Sequence, residues 1–167
     1  MINLIAERKI MKAATIQELK QELTNRPPKE LVEICIRLTK YKKENKELLN
    51  YLLFESYDEL GYTDTVKREM DEAFEELPKS TPYQNKKVLR KILRTVSRYS
   101  KFMASKQAEV ELLIYFCEKV KATGIRMNKS AMLTNLYNQQ LKKIHGVLES
   151  LHEDLRYDYL KRLSVIS

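Results

Sequence analysis

Three glycines and four prolines are all the chain has for turning sharply in 167 residues. Folds that reverse direction every few residues, as all-β architectures do, need many more such positions. What remains is a small set of long segments. Along them apolar side chains recur at spacings of three and four, the helical period.

The punctuation locates the segments. Thr15 with Glu18 makes a capping box ahead of "IQELKQEL". Pro27 and Pro28 stop that helix and start the next, because proline suits a first helical turn. Leu31, Ile34, Cys35, Leu38 and Tyr41 then form one apolar stripe. The run "KKENKE" predicts a turn, followed by a stripe of Leu48, Leu49, Leu52 and Leu53. Gly61 is expected as a C-terminal cap, with Thr63 or Asp64 capping an acidic helix that ends near Pro78. Thr81, Pro82 and Gln84 open another helix, whose inward positions are Val88, Ile92, Val96, Tyr99 and Met103. The phase of its stripe allows either a break near Ala104 and Ser105 or one rod over 82–123 that Gly124 ends. Asn128 or Ser130 starts the next segment. Gly146 either interrupts it or permits close packing, and Leu148, Leu151, Leu155, Tyr159 and Leu163 continue at helical spacing.

These signals predict an all-α fold of about seven to nine helices in a single domain, 1–167. Helical hairpins are expected over roughly 15–60, 63–104 and 105–165. A faint internal echo links "KELVEICIRLTKYKK" to "KKVLRKILRTVSRYSK": Leu31 matches Leu89, Ile34 matches Ile92 and Tyr41 matches Tyr99. Repeated hairpins would suit an α-solenoid-like stack.

Charge is the most uneven property of the chain. Its net charge is +8, yet residues 55–78 carry nine acids against two bases, and residues 79–106 carry nine bases and no acid. On a helical wheel Lys87, Arg90, Lys91, Arg94, Arg98 and Lys101 fill an arc of roughly 100°, opposite the apolar stripe. Two readings follow. The acidic segment can fold back as a hairpin and balance the basic helix 86–101, leaving an interaction module for another protein or for a second copy. Alternatively the stripe faces outward and follows a nucleic-acid backbone. The first is the primary expectation. A third use, lying on an anionic membrane, conflicts with the core's need for the apolar face.

Nothing in the sequence assembles a catalytic, cofactor or metal site. Glycines at 61, 124 and 146 form no phosphate loop, and no nucleophile elbow or zinc-spaced cysteine pair occurs. His145, Glu149 and His152 would share one side of a continuous helix, but the histidines would then stand about 10 Å apart along its axis, too far for one ion. Cys35 and Cys117 lie on apolar stripes and are expected buried and reduced. No window reaches the ~18 uncharged residues of a spanning helix, and Glu7, Arg8 and Lys9 interrupt the apolar start, so a cytoplasmic location is expected.

The stretches "NKKVLRKILRTVSRY", "VELLIYFCE" and "LTNLYNQQLKKIHGVLESL" resemble small bacterial all-helical domains of unknown function. The likeness covers about half the chain. It implies a helical fold and no catalytic residues.

Overall fold

A computed structural model describes residues 13–78 and 81–166. Among them the fold is all-α: eight α-helices, a π-helical turn and a 3-10 turn, with no strand. No helix among the described residues is long and apolar enough to cross a membrane. The chain divides into two compact units, 1–49 and 50–167. The division falls inside the span 15–60 that punctuation sets aside as one hairpin.

The first unit holds α1 (Ile16–Thr24), α2 (Pro28–Tyr41) and most of α3 (Lys43–Asn50). The capping box forms as read: the Thr15 amide donates to Glu18 Oε2 at 2.7 Å, and the Glu18 amide donates to Thr15 Oγ1 at 3.3 Å. Pro27 and Pro28 act as expected, and Arg26 bridges the junction by pairing with Glu30 at 3.1 Å. The turn expected at "KKENKE" is confined to its first residue. Only Lys42 leaves the helical conformation, at φ −141° and ψ 142°, and α3 resumes at Lys43. Glutamate and lysine are good helix formers, so the rest of the polar run is helical.

None of these three helices buries a residue. The stripe of α2 is therefore not a core: Ile34 is 38%, Leu38 54% and Tyr41 78% exposed. The internal echo breaks at this point too, because Ile92, the partner of Ile34, is 1% exposed. Cys35 is exposed, contrary to expectation, whereas Cys117 is buried. Amphipathic spacing identifies the apolar face but not whether anything covers it. Under native conditions an alkylating thiol reagent should modify Cys35 at once and Cys117 only after unfolding. Burial pushes the Cys117 thiol up to about 12, which further slows its reaction. Equal, rapid labelling of both in folded protein would contradict this arrangement.

The second unit holds the core. Its helices are α4 (Glu59–Glu75), α5 (Pro82–Met103), α6 (Lys106–Ala122), α7 (Ala131–Leu148) and α8 (Glu153–Ile166). α6 is central and packs against all four others. Its run "VELLIYFC" is apolar around most of the helix, the pattern of a buried rod. Val110, Leu112, Ile114, Phe116, Cys117 and Val120 are all fully enclosed. Phe74 of α4 meets Phe116 at 5.8 Å between ring centroids. Tyr137 of α7 donates to the Ile166 carbonyl at 2.6 Å and so ties down the end of α8.

Three boundaries correct the sequence reading. Gly61 is not a C-cap; it lies in the first turn of α4, whose N-cap is Asp58. The Gly61 amide donates to Asp58 Oδ1 at 2.9 Å, and a Cβ at Gly61 would collide with that carboxylate. Neither Thr63 nor Asp64 therefore caps α4. The question left open at Ala104 resolves to a break: Ala104 adopts φ 51°, and Ser105 caps α6 by accepting from the Ala108 amide at 3.2 Å. At the other end of α6, Gly124 adopts φ 68°, the left-handed conformation its missing Cβ permits. The last segment is two helices. α7 runs through Gly146 but ends at Leu148, where Ser150 and Leu151 make i→i+3 bonds to Val147 and Leu148. Glu153 and Asp154 then occupy the first turn of α8, where the helix dipole favours acids. His145 and His152 thus belong to different segments. No group of three His, Cys, Asp or Glu gathers as a metal site among the described residues.

Candidate polyanion interface

The basic helix is α5, and its local sequence explains its length and orientation. Thr81 accepts from the Gln84 amide at 3.4 Å, Pro82 takes the first turn, and no acid follows. Leu89, Ile92, Val96 and Met103 are buried against neighbouring helices. Burying that face turns the opposite face outward. Tyr99, half-buried, joins a chain of rings: Tyr51 to Tyr62 at 4.6 Å, Tyr62 to Tyr99 at 5.8 Å and Tyr99 to Phe102 at 5.8 Å. Burial, then the Glu69 carboxylate, raises the Tyr99 phenol.

The structure divides the stripe lengthwise. Along the edge toward α4, Arg98 pairs with Glu69 at 3.7 Å and lies 4.7 Å from the Tyr99 ring. On the same edge Lys91 approaches Glu76 at 3.9 Å, with both side chains largely exposed. A recess of about 150 Å³ between the helices brings Glu69, Glu72 and Glu76 opposite Lys91. Along the far edge, Lys87, Arg90, Arg94 and Lys101 are exposed and form no ion pair with a described acid. Two of the six stripe residues therefore meet the acidic segment and four do not.

Two other acids of α4 look elsewhere. Asp71 accepts from the Tyr115 hydroxyl at 2.7 Å and pairs with Lys119 of α6 at 2.8 Å. Glu59 accepts from the Ser105 hydroxyl at 2.7 Å. On α6, Glu111 is held between Lys67 of α4 at 2.7 Å and Arg162 of α8 at 2.6 Å, and Arg162 continues to Glu118 at 3.1 Å. These partners stand 44 and 51 residues apart in the chain, so no local pattern announces them. Burial pushes the Glu111 carboxyl up, but the hydrogen bonds and charges of Lys67 and Arg162 outweigh it and leave it below its ordinary value. A carboxyl lowered on folding adds stability above its unfolded pKa, and that stability is lost as pH falls through the folded value. The melting temperature should therefore drop as pH falls below about 4, and less steeply in Glu111→Gln. Parallel acid profiles for the two proteins would show that this cluster does not govern acid stability.

The free edge of α5 ends at a second basic feature. Lys101 lines a recess of about 310 Å³ together with Ser97, Ser100, Lys106, Glu109 and Lys143. Lys143 and Lys106 reach Glu109 at 2.8 and 3.3 Å. Burial acts to raise Glu109, yet the two lysines prevail and lower it. Three lysines against one glutamate leave this end of the helix positive. Lys106 and Lys143 could not be added to the stripe from sequence, since only the break at Ala104 and the packing of α7 bring them to Lys101.

From Lys87 to Lys101 the free edge runs about 21 Å along the helix axis. That length covers roughly six base-pair steps of a duplex backbone. Comparison with known proteins adds no identity: no family model, no curated protein and no solved structure matches the chain.

Proposed function

We propose that this chain binds a polyanion, a nucleic-acid backbone foremost, along the exposed edge of α5, and acts by binding rather than by catalysis. One observation carries the reading: Lys87, Arg90, Arg94 and Lys101 are aligned on one helix and exposed, without an acid partner among the described residues. Aligned cations on a rigid helix can neutralise successive phosphates and release their counterions. The recess with Lys106 and Lys143 extends the positive edge at its C-terminal end. Between Lys87 and Lys101 the aromatic residue is Tyr99, half-buried among other rings, and exposed Tyr83 stands one turn outside the row, which favours backbone contact over base stacking. Protein purified at low salt should carry nucleic acid, read from its absorbance ratio at 260 and 280 nm, and should lose it in high salt. A protein-like ratio at every salt concentration, with no binding to added oligonucleotide, would refute the reading.

A protein partner is a second reading, favoured by a different observation. α1, α2 and α3 bury no residue, while Ile16, Val32 and Tyr41 are more than 60% exposed. Apolar faces of this kind commonly mark protein contacts. Sedimentation that stays monomeric over a wide concentration range would remove self-association from this reading.

A further inference from the structure

Where α4 ends and α5 and α7 begin, the bundle does not close. A cleft of about 630 Å³ remains, within the size range of small-ligand sites. Phe74 and Leu77 at the end of α4, with Ile125 and Leu133 across from them, give it apolar walls. Asn85, in the second turn of α5, also lines it. This residue is 9% exposed, and its Oδ1 has no hydrogen-bond partner among the described residues. An enclosed amide oxygen without a donor destabilises a fold, and a leucine of similar shape would not. Nothing among the described residues pairs with that oxygen to favour asparagine at this position.

The charge around the cleft is positive. Arg126 and Lys129 line it and are exposed, against Glu75 as the acid in its lining. Neither α5 nor α7 has an acid in its first turn, so both helix dipoles present uncompensated positive ends here. Ser130, at the N-cap of α7, makes no side-chain capping bond. A ligand suited to these features has a flat body for the apolar walls, an edge that both donates and accepts, and an anion beyond it.

We infer that this cleft binds a nucleoside monophosphate, free or as the terminal nucleotide of a strand. The base edge meets the Asn85 carboxamide, and the phosphate meets Arg126 and Lys129. Adenine fits best: once the enclosed carboxamide turns toward the cleft, the base's amino group donates to Oδ1 while a ring nitrogen accepts from Nδ2, the usual bidentate pairing of asparagine with adenine. The strand-terminal form rests on the polyanion reading of α5; the free-nucleotide form does not.

Calorimetric titration of the full chain with 5′-AMP tests this directly. Saturable binding is expected, with adenosine at least about tenfold weaker because it lacks the phosphate. Asn85→Leu should abolish AMP binding while the melting temperature holds or rises. Arg126→Ala/Lys129→Ala, a surface pair that does not depend on core repacking, should bind AMP no better than adenosine. Short adenylate oligomers with and without a 5′-phosphate separate the two sources. Preference for the phosphorylated oligomer indicates a strand end, and binding of AMP alone indicates the free nucleotide. No saturable AMP binding in the millimolar range would overturn the inference. So would unchanged affinity in Asn85→Leu, or a lower melting temperature there, which would make the amide part of the fold's own bonding. Failure with AMP while longer strands still bind through α5 would sink this site alone and leave the polyanion reading standing.

Discussion

Reversing Arg90, Arg94 and Lys101 to glutamate should leave folding stability within about 0.5 kcal/mol of the parent, the usual range for surface changes that break no contact. The same triple variant should lose at least about a hundredfold in affinity for nucleic acid at low salt, because three phosphate contacts become repulsions. Arg98→Glu should behave in the opposite way. It would set a carboxylate against Glu69, now 3.7 Å from the guanidinium, and remove the contact with Tyr99. A loss of about 1 kcal/mol is expected, modest because both groups are partly solvated. Thermal melts and fluorescence anisotropy on the two variants separate the edges of the stripe. A triple variant that melts far lower would mean that the free edge is engaged within the fold.

The largest stability effect is expected in the core of the second unit. Phe116→Ala should cost roughly 3–5 kcal/mol. Phe116 is fully enclosed on the central helix and packs on Phe74, so its removal leaves a cavity that α4, α5, α7 and α8 cannot close together. Against a typical domain stability of 5–15 kcal/mol, roughly, that is a large fraction. Chemical denaturation followed by circular dichroism measures it. A cost below about 1 kcal/mol would mean that α6 is not the axis of the core.

The helices were legible wherever a side chain acts on its own backbone. Thr15 with Glu18, Thr81 before Pro82, the Pro27–Pro28 pair and Gly124 all work through bonds within a few residues, and each sits where its chemistry places it. Legibility failed where two local signals compete or where distance in the chain is large. Gly61 has the freedom to end a helix, but its amide serves the Asp58 cap instead. The turn at 149–152 contains no proline or glycine, so nothing marked it. Cys35 and Cys117 occupy similar apolar stripes and differ completely in burial, because burial depends on what packs opposite.

The candidate site shows the same division. The stripe's six residues and their common face follow from helical spacing, but their partners do not. Net charges of −7 over 55–78 and nine uncompensated bases over 79–106 suggest mutual balance. In the fold, Glu69 and Glu76 of this segment pair with α5, while Asp71 turns to Lys119 and Tyr115, and α6 supplies Glu111 and Glu118 for Lys67 and Arg162. Sequence counts charges along the chain, whereas pairing is settled by which helix faces intervene. Asn85 is unmarked in the sequence for a related reason: an asparagine at the start of a helix is unexceptional apart from its burial and its unpaired oxygen.

The most direct test of the polyanion reading is the salt dependence of binding to a short labelled duplex of arbitrary sequence. If Lys87, Arg90, Arg94 and Lys101 each neutralise one phosphate, the plot of log K against log salt should fall with a slope of about −3 to −4. The Arg90, Arg94 and Lys101 charge-reversal variant should bring that slope close to zero. A flat plot for the parent protein, or a slope that the triple variant leaves unchanged, would contradict the assignment of α5 as the binding surface.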